Sequence, residues 1–260
     1  MTEQEKLLEK QEDVLKKMKK FSVKTTAKKV RTTNTLLRLL LIILALLILL
    51  MSISWACARF VNSSGFTVSL DSNNKGLSLF DNPDNKDPTT RLSAEPVEDM
   101  WNISYQWLPE GLDKKYGAHN GDADKDGKPD YLAYTFALGN DTDEDITYDS
   151  TISVEAVEKN ADNALRVRLI RNGDTKTYAK QASKGGAEKV AADATWISSE
   201  TVMKEQSMII KSKERVTYTV VLWLEGDDPE CVNDILGGKV KLSMNFVVQD
   251  DEAGNGELKT

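Results

Sequence analysis

The spacing of apolar residues changes twice along this chain, and each change marks a different kind of structure. In residues 3–21, Leu7, Leu8, Val14, Leu15, Met18 and Phe21 recur at three- and four-residue steps among Glu and Lys. That spacing predicts a short amphipathic helix. From Leu39 to Ala58 no residue is charged, and Leu39–Met51 contains no Pro, Gly or polar side chain. Twenty helical residues span about 30 Å, the thickness of a bilayer's hydrocarbon core, so this block predicts one transmembrane α-helix.

Beyond Trp101 the period becomes two. Val240, Leu242, Met244, Phe246 and Val248 alternate with more polar neighbours, as do Ile146, Tyr148, Ser150, Ile152, Val154 and Ala156. Leu165, Val167 and Leu169 alternate with Arg166 and Arg168, and Asn172-Gly173 separates that run from Thr175–Lys180. Alternation predicts strands with one buried face, and Asn-Gly predicts a two-residue hairpin. Tyr131–Leu138 and Arg215–Leu224 are apolar on both faces, which places them centrally. Phe66–Leu70 and Leu77–Phe80 read as first strands ahead of a long polar loop. About eight strands predict an all-β domain, an antiparallel β-sandwich. Asp228 as cap, Pro229 at the first helical position and Gly237-Gly238 at the end predict a short helix between the last two strands. Residues 183–194 read as a loop with some helical character.

Charge assigns these parts to compartments. The total is −7, yet residues 1–38 hold eleven basic against five acidic residues, a net of +6, which leaves −13 for the rest. Residues 16–38 carry nine Lys or Arg and no acid, whereas only Arg59 is positive between the apolar block and Lys75. Positive residues stay inside, so the N-terminus is expected in the cytoplasm and the C-terminal domain outside the cell. The expected organisation is therefore a basic tail over 1–38, a transmembrane helix or long signal-anchor over 39–58, a linker with first strands over 59–100, and the sandwich over 101–260. Ala56-Cys57-Ala58 also fits a signal-peptidase site, so a cleaved and secreted form starting at Arg59 is the alternative. Cys57 and Cys231 fall in different compartments, which argues against a disulfide between them. The basic tail suits an anionic inner leaflet, so the lipid bilayer is one expected partner. An acidic outer domain is a poor ligand for nucleic acid.

The densest candidate chemistry is Asp122-Ala-Asp-Lys-Asp-Gly-Lys-Pro-Asp130. Carboxylates at alternate positions 122, 124 and 126, with Gly127 at the sharp turn, follow the first half of an EF-hand loop. Hard oxygen donors in that pattern suit Ca2+, with the Lys128 carbonyl and Asp130 as further candidates. Position twelve is Ala133, where an EF-hand supplies a bidentate Glu, so the loop is not an EF-hand and the ion would be structural. Asp141–Asp145 is a second acidic cluster, expected to be a solvated turn. Asn62, Asn102 and Asn140 begin formal N-glycosylation sequons. Catalysis has few candidates. His119 is the only histidine, there is no zinc or nucleophile motif, and His119 lies in a Gly/Asn/Asp-rich stretch. The chain is read as a non-enzyme; a secreted hydrolase using two carboxylates is the remote alternative.

The segment Val216–Cys231, continuing through Ile235-Leu-Gly-Gly to Phe246-Val-Val-Gln249, resembles the closing strands of the TasA/camelysin family of Gram-positive exported proteins. The shared features are an aromatic strand, an acidic Gly-Asp turn, a Gly before the final strand, and Phe then Gln near its end. The resemblance implies a jelly-roll-like sandwich, export to the envelope, and assembly with copies of itself or with an envelope protein. Family members begin with an ordinary cleavable signal where this chain has a long basic tail. The metallopeptidase activity ascribed to camelysin lacks zinc ligands here. The expectation is thus a non-catalytic, membrane-anchored surface or matrix component, with a single-pass sensor as the competing reading.

Overall fold

In the computed structural model the described residues are 3–61 and 65–249, with side chains at 21–34, 36 and 53–61 left out of the description. They divide into two compact units between Phe60 and Val61.

The first unit is one helix, α1, Glu3–Val61. The amphipathic segment and the apolar block, expected as separate helices, run together because no Pro or Gly interrupts them. Glu3 and Glu5 lie in the first turn, where the helix dipole favours acids, and Asp13 pairs with Lys17 one turn on at 3.0 Å. Leu7, Leu8, Val14, Leu15 and Met18 are exposed, as is every Leu, Ile and Met from Leu39 to Met51. Among the described residues no helix is long and apolar enough to cross a membrane. The outer six residues of the expected span, 53–58, with Trp55, Cys57 and the possible cleavage site, lie outside the described side chains, and Asn62 lies outside the described residues.

The second unit is built from strands β1 Gly65–Leu70, β2 Leu77–Phe80, β3 Arg91–Ala94, β4 Asn102–Ile103, β5 Gly117–Ala118, β6 Tyr131–Asn140, β7 Ile146–Glu158, β8 Leu165–Arg171, β9 Asp174–Ala179, β10 Ala194–Thr195, β11 Thr201–Ile210, β12 Arg215–Glu225 and β13 Lys239–Val248. One sheet has the order β11-β7-β13-β1-β3. The other has β10-β9-β8-β12-β6-β2, with β4 against β12 and β5 against β6. The expectation of a wholly antiparallel sandwich is not met: β1 runs parallel to β13, β10 to β9 and β4 to β12. Asn172 and Gly173 turn the β8–β9 hairpin at φ 48° and 92°, the left-handed pair that such a turn needs.

The two sheets face each other across one core. Phe66, Val68, Tyr148, Ile152, Leu242, Met244 and Phe246 come from the first, and Leu132, Tyr134, Phe136, Leu138, Tyr218, Val220 and Leu222 from the second. Phe246 meets Phe136 at 6.2 Å, Tyr148 at 5.9 Å and Tyr218 at 5.2 Å between ring centroids. Such pairs add about 0.5–1.5 kcal/mol each beyond area burial. The Tyr148 and Tyr218 hydroxyls join the sheets at 2.7 Å, and burial raises the pKa of both phenols. On the outer face of the second sheet Tyr131, Ala133, Val221 and Trp223 form a smaller cluster with Ile103 and Leu112. That explains why β6 and β12 are apolar on both faces. Trp223 is core filling there, its indole N–H donating to Glu225 at 3.0 Å.

The expected helix after Asp228 is not formed. Between β12 and β13 there is only a one-turn 3-10 helix, Asn233–Ile235. Asp228, expected as the cap, is instead fully paired within its turn and with Arg166. Residues 183–194, expected as a loop with some helical character, are loop as far as Asp193 and carry no helix, Gly185 and Gly186 taking positive φ, and Ala194 begins β10. Gly238 has a packing reason: a Cβ there would lie 2.7 Å from the Ala161 Cβ and 2.8 Å from the Glu158 carbonyl.

Candidate metal centre

The Asp122–Asp130 loop leads into β6, and its ends are held before any ligand is considered. The Asp130 N–H donates to the Gly121 carbonyl at 2.9 Å, the Trp101 N–H to the Pro129 carbonyl at 3.1 Å, and Gly121 forms a bridge with Tyr131. The Tyr131 ring lies so close over Gly121 that a Cβ would fall 2.2 Å from its hydroxyl. Within the loop Gly127 takes φ +89°, a conformation disfavoured for side chains that carry a Cβ. The glycine at the sharp turn is thus where the motif requires it.

Carboxylate oxygens of Asp122, Asp124 and Asp130 lie within 4.8 Å of one another. Asp122 and Asp124 are exposed, whereas Asp130 is fully buried. Asp122 accepts the N–H of Asp126 at 3.1 Å and of Gly127 at 2.7 Å; Asp124 also accepts the Asp126 N–H, at 3.0 Å. One oxygen of Asp130, Oδ2, accepts the N–H groups of Ala123 at 2.6 Å and Asp124 at 3.2 Å. The other, Oδ1, is buried with no hydrogen-bond donor.

Asp126 is not brought into this group. Its carboxylate accepts the Lys128 N–H at 2.9 Å and lies 3.8 Å from the Lys128 ammonium. That ammonium sits 3.3 Å from the Trp101 ring centroid, a cation–π contact. Of the five residues expected to ligate, three converge through carboxylates, while the side chains of Asp126 and Lys128 pair with each other.

The electrostatics follow the geometry. Loss of hydration is the largest single influence on Asp122 and acts upward, yet the N–H groups of Gly127, Lys125 and Asp126, with the Asp124 carboxyl, hold its pKa below the ordinary value. For Asp124 the Asp126 N–H acts downward most strongly, but lost hydration and the Asp126, Asp130 and Asp122 carboxyls outweigh it and raise the pKa. The fall at Asp122 reports the N–H groups turned toward it, and the rise at Asp124 reports the carboxylates beside it.

His119 is buried, its Nδ1 2.9 Å from the Gly117 carbonyl and its Nε2 2.8 Å from the Leu112 carbonyl. Both nitrogens face backbone oxygens, which makes the ring a pin between β5 and the Leu112 turn. Sequence reasoning missed the buried pair Arg166–Asp228, 2.8 Å apart, whose guanidinium also donates to the Val190 carbonyl at 2.9 Å. Its one sequence signal was an Arg in a strand that proved buried on both faces. Cys231 is a free thiol, its pKa raised by burial and by Asp228 and Glu225. Asn140, expected as a sequon, is buried and hydrogen-bonded through both side-chain polar atoms, so the folded domain cannot present it for glycosylation.

No family model matches the chain, and no curated protein does. Among solved structures, the chain is similar over 67% of its length to a β-glucosidase from Kluyveromyces marxianus in complex with glucose, at 11% identity and a TM-score of 0.24. It covers 15% of that enzyme's chain. At that score the likeness carries no argument about fold or function.

Proposed function

We propose that this chain is a non-catalytic, membrane-anchored envelope protein. Its basic tail lies in the cytoplasm, and its outer β-sandwich, of the TasA/camelysin type, binds an envelope partner or assembles with copies of itself. The observation that carries this reading is the uninterrupted exposure of Leu39–Leu44 and Leu46–Met51 on α1, an apolar surface that water does not tolerate and a lipid phase covers. The orientation rests on the nine basic residues at 16–38 before it, against Arg59 alone between it and Lys75. His119, held between two carbonyls, supports the non-catalytic part, because a general base needs a free nitrogen.

The test is topology. With a tag at each end, the full chain should remain in the membrane pellet after an alkaline carbonate wash. Protease added to intact cells should remove the C-terminal tag and spare the N-terminal one. Release by carbonate, or loss of the N-terminal tag alone, would refute the reading.

One observation favours a second reading, a single-pass sensor: α1 runs unbroken from Glu3 to Val61 and so joins the tail to the apolar run. Making Leu8, Leu15 and Met18 polar would abolish the output of a sensor and leave envelope assembly unchanged.

A further inference from the structure

We propose that the Asp122–Asp130 loop binds one Ca2+ through carboxylate oxygens of Asp122, Asp124 and Asp130, and that the bound ion displaces the Lys128 ammonium from Trp101. The inference is independent of the topology argued above and stands or falls separately.

The observation that calls for a ligand is the Asp130 carboxylate, fully buried with Oδ1 lacking any donor. A buried carboxylate oxygen without a donor is costly, and a cation supplies the missing partner. The three carboxylates lie within 4.8 Å of one another, inside the span of about 5 Å that two oxygens cover on opposite sides of one Ca2+. All side-chain donors are hard oxygens, with no imidazole or thiolate in the group, which disfavours zinc and copper. With Ala133 on β6 in place of a bidentate Glu, part of the coordination sphere is left to water. The expected Kd is therefore about 10⁻⁴–10⁻³ M, the range of extracellular modules.

Lys128 supplies the reporter. Its ammonium lies between the Asp126 carboxylate and the Trp101 ring, on the loop that the ion would occupy. A divalent charge in that loop repels the ammonium, weakening a contact that quenches or shifts indole emission.

The full chain in detergent, stripped with EGTA, is titrated with CaCl2 while tryptophan emission and thermal unfolding are followed, with MgCl2 at equal ionic strength as comparison. Saturable emission change with a midpoint of about 10⁻⁴–10⁻³ M is expected, with a melting temperature about 3 °C higher at ten times the Kd. Asp130→Asn should abolish both responses. Asp124→Asn, at an exposed position, should weaken them at least tenfold and serves should the first variant fail to fold. Trp101→Phe should lose the emission change and keep the thermal shift. No saturable response to 10 mM Ca2+, an equal response to Mg2+, or a wild-type response from folded Asp130→Asn would each overturn the site. An emission change that survives Trp101→Phe would overturn the Lys128 displacement.

Discussion

Two acidic turns flank the same strand: Asp122–Asp130 enters β6 and Asp141–Asp145 leaves it, and they resolve their charge in opposite ways. In the second turn two of the four acids each pair with a cation. Asp145 pairs with Lys211 at 2.7 Å and Asp143 with Lys213 at 3.0 Å. The residue buried at its base is neutral Asn140, whose amide donates to the carbonyls of Glu144 at 2.7 Å, Lys211 at 3.1 Å and Ile210 at 3.3 Å. Its oxygen accepts the Thr142 N–H at 2.9 Å and hydroxyl at 2.7 Å. In the first turn the buried residue is an acid, and its neighbours converge on it. Each turn holds four acids, and the second packs them into fewer residues; what separates the solvated turn from the candidate cation site is the residue held under it.

That contrast can be broken most forcefully at Asn140. Asn140→Ala removes the amide from three carbonyls and the acceptor from Thr142, and should destabilise the domain by about 3 kcal/mol, measured by the denaturant midpoint. A loss below about 1 kcal/mol would mean that the second turn is held by its surface ion pairs after all. Next in size is Gly127→Ala, which forces a Cβ into φ +89°. It should cost about 1–2 kcal/mol; no cost would mean that the first turn is free to reshape. In calcium-free buffer Asp130→Asn should not lower the melting temperature and should raise it slightly, because it removes a buried charge while keeping an oxygen for the Ala123 and Asp124 N–H groups. A marked fall would show that the buried carboxylate is stabilising without an ion.

The smallest effect belongs to Asp145→Asn, with no resolvable change in melting temperature at neutral pH and moderate salt. Its pKa is lowered first by the Lys211 ammonium and then by the Ser212 N–H. Its contribution is therefore present above the unfolded value near 3.8 and fades as pH falls through the folded one. Wild type and variant should differ only at low salt, and less as the solution is acidified. A difference that grows with acid would reverse the assignment.

Strands with an unbroken period of two could be read directly, as could the Asn172-Gly173 hairpin and the central places of β6 and β12. β11 was not visible, and its pairing shows why. Register shifts against β7 fall between Thr201 and Met203 and between Glu205 and Met208, with Ser207 at φ 55°. Each bulge moves the next side chain to the other face, so Val202 and Met203 are both buried and the alternation disappears. The expected helix after Asp228 failed for a tertiary reason. Arg166, 62 positions away, takes one carboxylate oxygen at 2.8 Å, and the local Glu230 N–H takes the other at 2.7 Å. In the metal loop the acids and Gly127 were legible as a motif. The burial of Asp130 was not, because it depends on Trp101 closing over Pro129 and on Tyr131 packing against Gly121. The diversion of Asp126 to Lys128 depends on the same Trp101.

The parallel pairing of β1 with β13 sets a limit on when the domain can close. Gly65 lies opposite Lys241 and Leu70 opposite Phe246, so the strand that is synthesised first finds its inner neighbour only after nearly all of the others exist. A ribosome releasing this chain would hold an open sheet, with Phe66 and Val68 unsheltered, until Val248 has emerged. Whatever carries the polypeptide to its destination therefore handles an unfinished fold, and shortening it before β13 should yield aggregates instead of a smaller stable domain.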